Sequence, residues 1–235
     1  MGELASQMLG EEDVSGVRKR NPEAVRANIL AVAMAEFSLN GLSGARIDEI
    51  AAKTRTSKRM IYYYFGDKDG LYKHVLEEAY REVRSGENEL ALGHLDPVAG
   101  LARLVEFTFD HHSRNPDFIR LVMIENIHHG AYLEQSAAIR ELNVTAIANL
   151  KAIYERGLAQ GRFRAGIDPL ELHWQISALS FFNVSNRATF SRLFGGQLWS
   201  DDGQKRLKAD CVDMVLRFVL ADAANVSRNA RKAGA

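Results

Sequence analysis

Apolar side chains recur at helical spacing along nearly the whole chain, and no segment alternates apolar with polar in the two-residue rhythm of a strand. Val25, Ile29, Ala33 and Phe37 stand at four-residue steps, after a start at Asn21-Pro22-Glu23 that suits a cap and first turn. Asn40-Gly41 stops that helix. A second short helix spans about 47–54 with Ile47, Ile50 and Ala51 inward. Arg55-Thr56 makes the turn, and Ser57 caps a third helix running to about Tyr63. Ile61 and Phe65 face its core, and Tyr64 packs against the first helix.

A long fourth helix begins near Asp67 and reaches the low nineties, with Leu71, Val75, Ala79 and Val83 as its stripe. Pro97 and Asn115-Pro116 each open a further helix. The rest read as helices over about 136–159, from Asp168-Pro169 to about Phe190, and from Asp201 or Asp202 to about 224. The expectation is an all-α fold of about nine helices. Residues 1–20 form a flexible, basic-ended arm and 21–66 a helix-turn-helix unit. Residues 67–225 form a larger helical domain, and 226–235 a tail.

Charge sharpens this picture. The chain of 235 residues is formally neutral, with 30 basic and 30 acidic side chains. Residues 14–74 nevertheless hold eleven Lys and Arg against six Asp and Glu, a surplus of five positive charges that the remainder offsets. An anionic partner that meets only the front end is implied. No apolar run of about 18 residues suggests a membrane span. The first residues lack the basic start and apolar run of a secretory signal. The single Cys211 fits a reducing compartment, so a cytoplasmic location is expected.

Three short helices with a tight turn between the last two make a unit whose final helix fits a DNA major groove. Its outward residues are Ser57, Lys58, Arg59, Tyr62 and Tyr63. The two cations can neutralise phosphates or reach guanine edges, and the phenols can donate to phosphate oxygens. Lys68 opens the fourth helix, where a cation opposes the helix dipole but suits a phosphate.

Residues 25–71 resemble the DNA-binding domain of the TetR family of transcriptional repressors. The resemblance is carried by "AEFSLNG" (35–41), "IDEIAA" (47–52), Ser57, "IYYYF" (61–65), Lys68 and Leu71, without a gap from Phe37 to Leu71. It implies phosphate contacts at Tyr62, Tyr63 and Lys68, and positions at or near DNA for Arg46, Thr56, Ser57, Lys58 and Arg59. The arm Arg18-Lys19-Arg20 adds minor-groove contacts. Three departures stand out: Ala45-Arg46 in place of a small hydroxyl cap, Arg55-Thr56 in place of glycine and an apolar residue, and Met60 in place of threonine. Arg55 leaves the turn unstrained if its φ is negative.

The resemblance also accounts for the remaining 160 or so residues, by dimerisation and sensing. The last two long helices, about 169–190 and 203–223, would pair with those of a second copy. The stripe Val212, Val215, Leu216 and Val219 serves such a dimer or an ordinary intrachain core equally well. Candidate effector contacts are Phe107, His111, Met123, Asn126, Ile127, Tyr154, Trp174, Phe181, Phe182 and Asn183, a set suited to an apolar or aromatic molecule with polar handles. Phe181 and Phe182 diverge by about 100°, so one can meet a ligand and the other a partner subunit. The implied partners are double-stranded DNA, a small effector and a second copy, with no cofactor and no membrane. A metal-responsive or ligand-independent regulator is the alternative, prompted by Glu125, His128 and His129 with His111 and His112 upstream. Glu125 and His129 sit at i,i+4, but no HExxH motif or cysteine cluster accompanies them. The absence of a GxSxG elbow, a Gly-rich phosphate loop and a Walker pattern argues against an enzyme.

Overall fold

A computed structural model describes residues 21–221. The basic arm 18–20 and the tail from 226 lie outside the described residues. Among the described residues, ten α-helices account for nearly all regular structure: α1 Pro22–Gly44, α2 Ile47–Thr54, α3 Lys58–Phe65, α4 Lys68–Glu89, α5 Pro97–Arg114, α6 Pro116–Ile127, α7 Ala137–Ala159, α8 Pro169–Ser185, α9 Arg187–Phe194 and α10 Asp201–Val219. The tenth helix arises because the segment from Pro169 breaks at Asn186. Ser200, not Asp201 or Asp202, caps α10: its Oγ accepts from the Gly203 amide, and the two aspartates fall in the first turn. α10 also ends at 219 rather than 224. Leu220 turns extended to bridge Phe163, and Ala221 donates to the Arg162 carbonyl.

Two apolar cores organise the chain. The first joins Ile29, Ala33 and Phe37 of α1 to Ile50, Ile61 and Phe65 of the short helices. It continues through Leu71, Tyr72, Val75 and Leu76 of α4 into Phe118, Ile119 and Leu121 of α6. The helix-turn-helix unit therefore shares its interior with α4 and α6 rather than hanging from a linker. The second core lies among α5, α7, α8 and α10, and includes Leu101, Val105, Leu150, Leu172 and Ile176. Val215 and Val219 are buried in it, and Val212 and Leu216 pack on it, so this stripe belongs to the intrachain core. The apolar residues that α8 and α10 leave exposed are others: Leu170, Trp174 and Phe182, with Met214 and Phe218.

Candidate nucleic-acid interface and central cavity

The short helices are held by polar ties that leave one face of α3 open. Glu36 of α1 is only 4% exposed. Its carboxylate accepts from Lys53 at 2.8 Å, Asn40 at 2.9 Å and the Arg46 amide at 3.4 Å, which stitches α1 to both ends of α2. The Lys53 hydrogen bond, outweighing the opposing effect of burial, holds this carboxyl below the usual range. α2 closes on Arg55, whose amide reaches the Ala51 and Ala52 carbonyls. Its φ is 51°, in the left-handed region, so the turn takes the conformation that glycine adopts freely and arginine does not. The negative φ that would have relieved Arg55 is not adopted. Ser57 caps α3 by accepting from the Met60 amide at 3.3 Å.

Beyond that cap Lys58, Arg59, Met60, Tyr62 and Tyr63 all stand exposed, with Tyr63 at 78%. Ile61 and Phe65 are buried on the other side, and Tyr64 is partly buried against the first core. Lys58 pairs with Asp48 of α2, a tie between exposed groups that a phosphate can displace at small cost. Arg46 is exposed at the start of α2. Thr56 is partly covered and donates to the Thr54 carbonyl at 3.3 Å. Lys68 is partly covered as well, and its ammonium reaches the Ser43 carbonyl at 3.3 Å.

A cavity of about 410 Å³ opens between α4, α5, α6, α7 and α8. Rings line much of it: Tyr80, Phe118, His111, His112, Trp174 and Phe181. Tyr80 and Phe118 meet edge to face with ring centroids 5.3 Å apart, and His111 lies 5.7 Å from Phe118, both within the range of about 4.5–7 Å usual for aromatic pairs. The charged groups in this wall are Arg84 and Glu87 of α4, which pair with each other; the buried Arg84 guanidinium also donates to Asn143 Oδ1 of α7 at 2.7 Å. Burial, then Arg84, pushes the imidazoles of His111 and His173 down, His173 to about 4. Burial, then His111 and Arg84, brings His112 to about 4. All three are therefore neutral near pH 7.

Residues 97–215 match the family described as "Tetracyclin repressor-like, C-terminal domain", and residues 29–75 match "Bacterial regulatory proteins, tetR family". The chain belongs to the TetR family. It is 36% identical over 206 residues to the HTH-type transcriptional repressor NicS of Pseudomonas putida, across 88% of this chain and 95% of that protein. Its fold resembles a TetR-family regulatory protein from Rhodococcus RHA1 at TM-score 0.66 and 22% identity, covering 84% of this chain and 98% of that one. A Saccharomonospora viridis transcriptional regulator solved in complex with choline superposes at TM-score 0.63 and 19% identity, covering 85% and 100%. The all-α architecture is that of the TetR family, and the chain is a DNA-binding transcriptional regulator rather than an enzyme.

Within this TetR fold the expected effector contacts scatter. His111, Asn126, Trp174 and Phe181 line the cavity. Phe107 stands beside it, its ring 5.7 Å from His111 and so close over α4 that a Cβ on Gly86 would lie 2.7 Å from it. Tyr154 is a strut of the second core: its hydroxyl donates to the Arg164 carbonyl at 2.9 Å and accepts from the Ile167 amide at 3.1 Å. Met123 and Asn183 line a separate hollow beside α9. There Asn183 bonds Gln204 at 2.8 Å and so ties α8 to α10. Ile127 and Phe182 are exposed, Phe182 beside Phe190 of α9.

Glu125 and His129 do not share a helix face, because α6 ends at Ile127 and His129 has a φ of 60°. Glu125 is 1% exposed and accepts from the Tyr132 and Leu133 amides at 3.2 and 3.1 Å. It works as a cap for the loop before α7. Arg84 and His173 were missed, and His112 was weighed only as a metal ligand, not as part of the cavity wall. The signal for Arg84 was present, since Leu76, Tyr80 and Arg84 stand at four-residue steps and so on one side of α4.

Proposed function

We propose that this TetR-family regulator is a homodimeric repressor that holds a palindromic operator and releases it when a small molecule enters the α4–α8 cavity. The observation that carries the reading is the pairing of two features on one rigid helix. α4 packs beneath the reading head through Leu71 and Tyr72, and lines the cavity through Tyr80, Val83 and Arg84. Tyr62, Tyr63, Lys58, Arg59 and Lys68 clasp phosphates on either side of a major groove, while Arg46, Thr56 and Ser57 approach the same duplex. The exposed apolar residues of α8 and α10 supply the seam with a second copy, which sets two heads one helical turn apart. Repression as the direction of control is supported by the similarity to NicS, itself named a repressor. The binding of choline by a regulator of the same fold agrees with a small-molecule site in such a protein.

The test is selection of bound duplexes from a random pool by the full chain, repeated across salt concentrations. The expected product is an inverted repeat, bound by two chains per duplex, with affinity that falls steeply as salt rises. Recovery of no common sequence, together with indifference to duplex DNA at low salt, refutes the proposal. Lys68→Ala is expected to weaken every duplex alike.

A further inference from the structure

The cavity wall contains three buried nitrogens that have no hydrogen-bond partner: Arg84 Nε, His111 Nδ1 and His112 Nδ1. A buried donor without a partner costs about 1–3 kcal/mol, and a guanidinium cannot shed its proton to escape that cost. The other arms of Arg84 are taken by Glu87 and by Asn143. Nε is thus the position at which this cation lacks an acceptor. Glu87 is the one acid among the described lining residues, and it is already paired with Arg84. A cationic ligand entering here meets the field of Arg84 and finds no free carboxylate. An anionic ligand meets a guanidinium edge and imidazoles that can donate once protonated.

Resting on the reading of this cavity as the effector site, we propose that the effector is a small carboxylic acid with a planar, apolar body: its carboxylate bonds Arg84 Nε and the His111–His112 edge, and its body lies against Phe118, Phe181 and Trp174. Charge-assisted bonds from a guanidinium to a carboxylate are among the stronger ones in proteins. Flat rings offer the body offset and edge-on contacts.

The anion also reverses the balance that keeps the imidazoles neutral. Facing His111 and His112 are Tyr80, Arg84 and Glu87 from α4 and His173 from α8, while α6 and α7 contribute to the cavity only uncharged Phe118, Val122, Asn126 and Asn143; Glu82 of α4, Arg114 of α5 and Asp117 of α6 surround the adjoining hollow that His111 also lines. A carboxylate placed among them raises the imidazole proton affinity, so binding takes up a proton. Affinity for the acid therefore rises as pH falls from 8 to 6.

Calorimetric titration of the full chain with benzoate, phenylacetate and cinnamate, with their amides and with choline, tests this. At least one acid is expected to bind tenfold or more tightly than its amide and than choline, and several-fold tighter at pH 6 than at pH 8. In Arg84→Gln the difference between acid and amide is expected to collapse, while Arg84→Lys keeps part of it. His112→Gln is expected to flatten the pH dependence and keep the acid preference. Far-UV circular dichroism and duplex binding confirm that each variant is folded. Equal or tighter binding of amides or choline, an acid preference that survives in folded Arg84→Gln, or no acid binding at millimolar concentration overturns the proposal. Duplex selection separates the two failures: protein that reads an operator but rejects acids refutes only the ligand class, and protein that ignores DNA refutes the repressor reading.

Discussion

Acidification gives a quantitative check on the neutral, buried state of His112. Its pKa stands at about 4 in the folded chain against an ordinary 6.5, because burial, then His111 and Arg84, disfavour the imidazolium. A base with a depressed folded pKa contributes stability that is complete above its unfolded pKa and is lost as pH falls toward the folded one. The unfolded chain takes up the proton first, and so gains on the native state. Between pH 7.5 and pH 5.5 this single group is expected to remove about 1.4 kcal/mol of unfolding free energy. His173, whose pKa is lowered by burial and then Arg84, acts in the same direction.

Two carboxylates bear on the same window. Glu82 is held above the usual range by burial and then by Glu78, so it favours the folded chain as pH falls and partly masks the loss. Glu36 is held below its ordinary value, so its contribution is lost only at lower pH, beneath this window. Comparing the wild type with His112→Gln cancels both. The assay is urea unfolding at pH 7.5, 6.5 and 5.5, at constant ionic strength and constant protein concentration, since stability of an oligomer depends on the latter. The gap between wild type and variant is expected to shift by about 1.4 kcal/mol across the range. Parallel pH dependences in the two proteins refute the assignment of a buried neutral imidazole at 112.

Three further outcomes follow from the reading head. Tyr63→Ala is expected to weaken specific and non-specific duplexes together by about tenfold, near 1.4 kcal/mol, with no change in melting temperature, as measured by fluorescence anisotropy. Sequence-selective loss would place Tyr63 on a base edge instead. Glu36→Gln strips Lys53 and the α2 amide of a charged acceptor and is expected to lower stability by about 1–3 kcal/mol in thermal or urea melts. An unchanged melt would mean that the α1–α2 tie is idle. Arg55→Gly relieves a left-handed arginine but makes the unfolded chain more flexible, and is expected to raise stability by up to about 1 kcal/mol. A loss of stability would show that Arg55 is held by something other than the turn.

The short helices were legible because their ends are written in chemistry that acts locally. Asn21-Pro22, Ser57 and Asp67 cap amides two or three residues away, and their helices begin where those residues predict. What escaped depends on partners distant in sequence. α10 stops at Val219 because Leu220 pairs with Phe163, more than 50 residues away, and no periodicity carries that information. The break at Asn186 has neither glycine nor proline to announce it, and the polar Asn186 serves as the end of one helix and the start of the next. Aromatic residues were the least informative. Tyr154 and Phe181 look alike as apolar positions on helices, yet one is a core strut and the other lines the cavity. Arg84 was the more telling residue, since a guanidinium on the same face as Leu76 and Tyr80 requires partners wherever that face is buried.

The position of Arg84 bears on how the cavity can speak to the reading head. Tyr72 and Arg84 are twelve residues apart on α4, about 18 Å along the axis, and the helix between them is continuous. Tyr72 sits under α1 with its ring 5.1 Å from Phe37, and it also meets Tyr132 of the α6–α7 loop at 5.1 Å. Glu125 clamps that same loop from the end of α6, whose Val122 and Asn126 line the cavity. α4 and α6 thus both touch the ligand space, and both converge on Tyr72. A close-packed interior has little room to absorb a displacement locally. On the proposed mechanism, a ligand that draws Arg84 away from Asn143 or pushes on Val122 shifts α4 and α6 together beneath α1. The head then moves as a body, because α1, α2 and α3 share one core with them. Altered spacing between two such heads in a dimer, rather than damage to either one, is the simplest way for this architecture to let go of DNA.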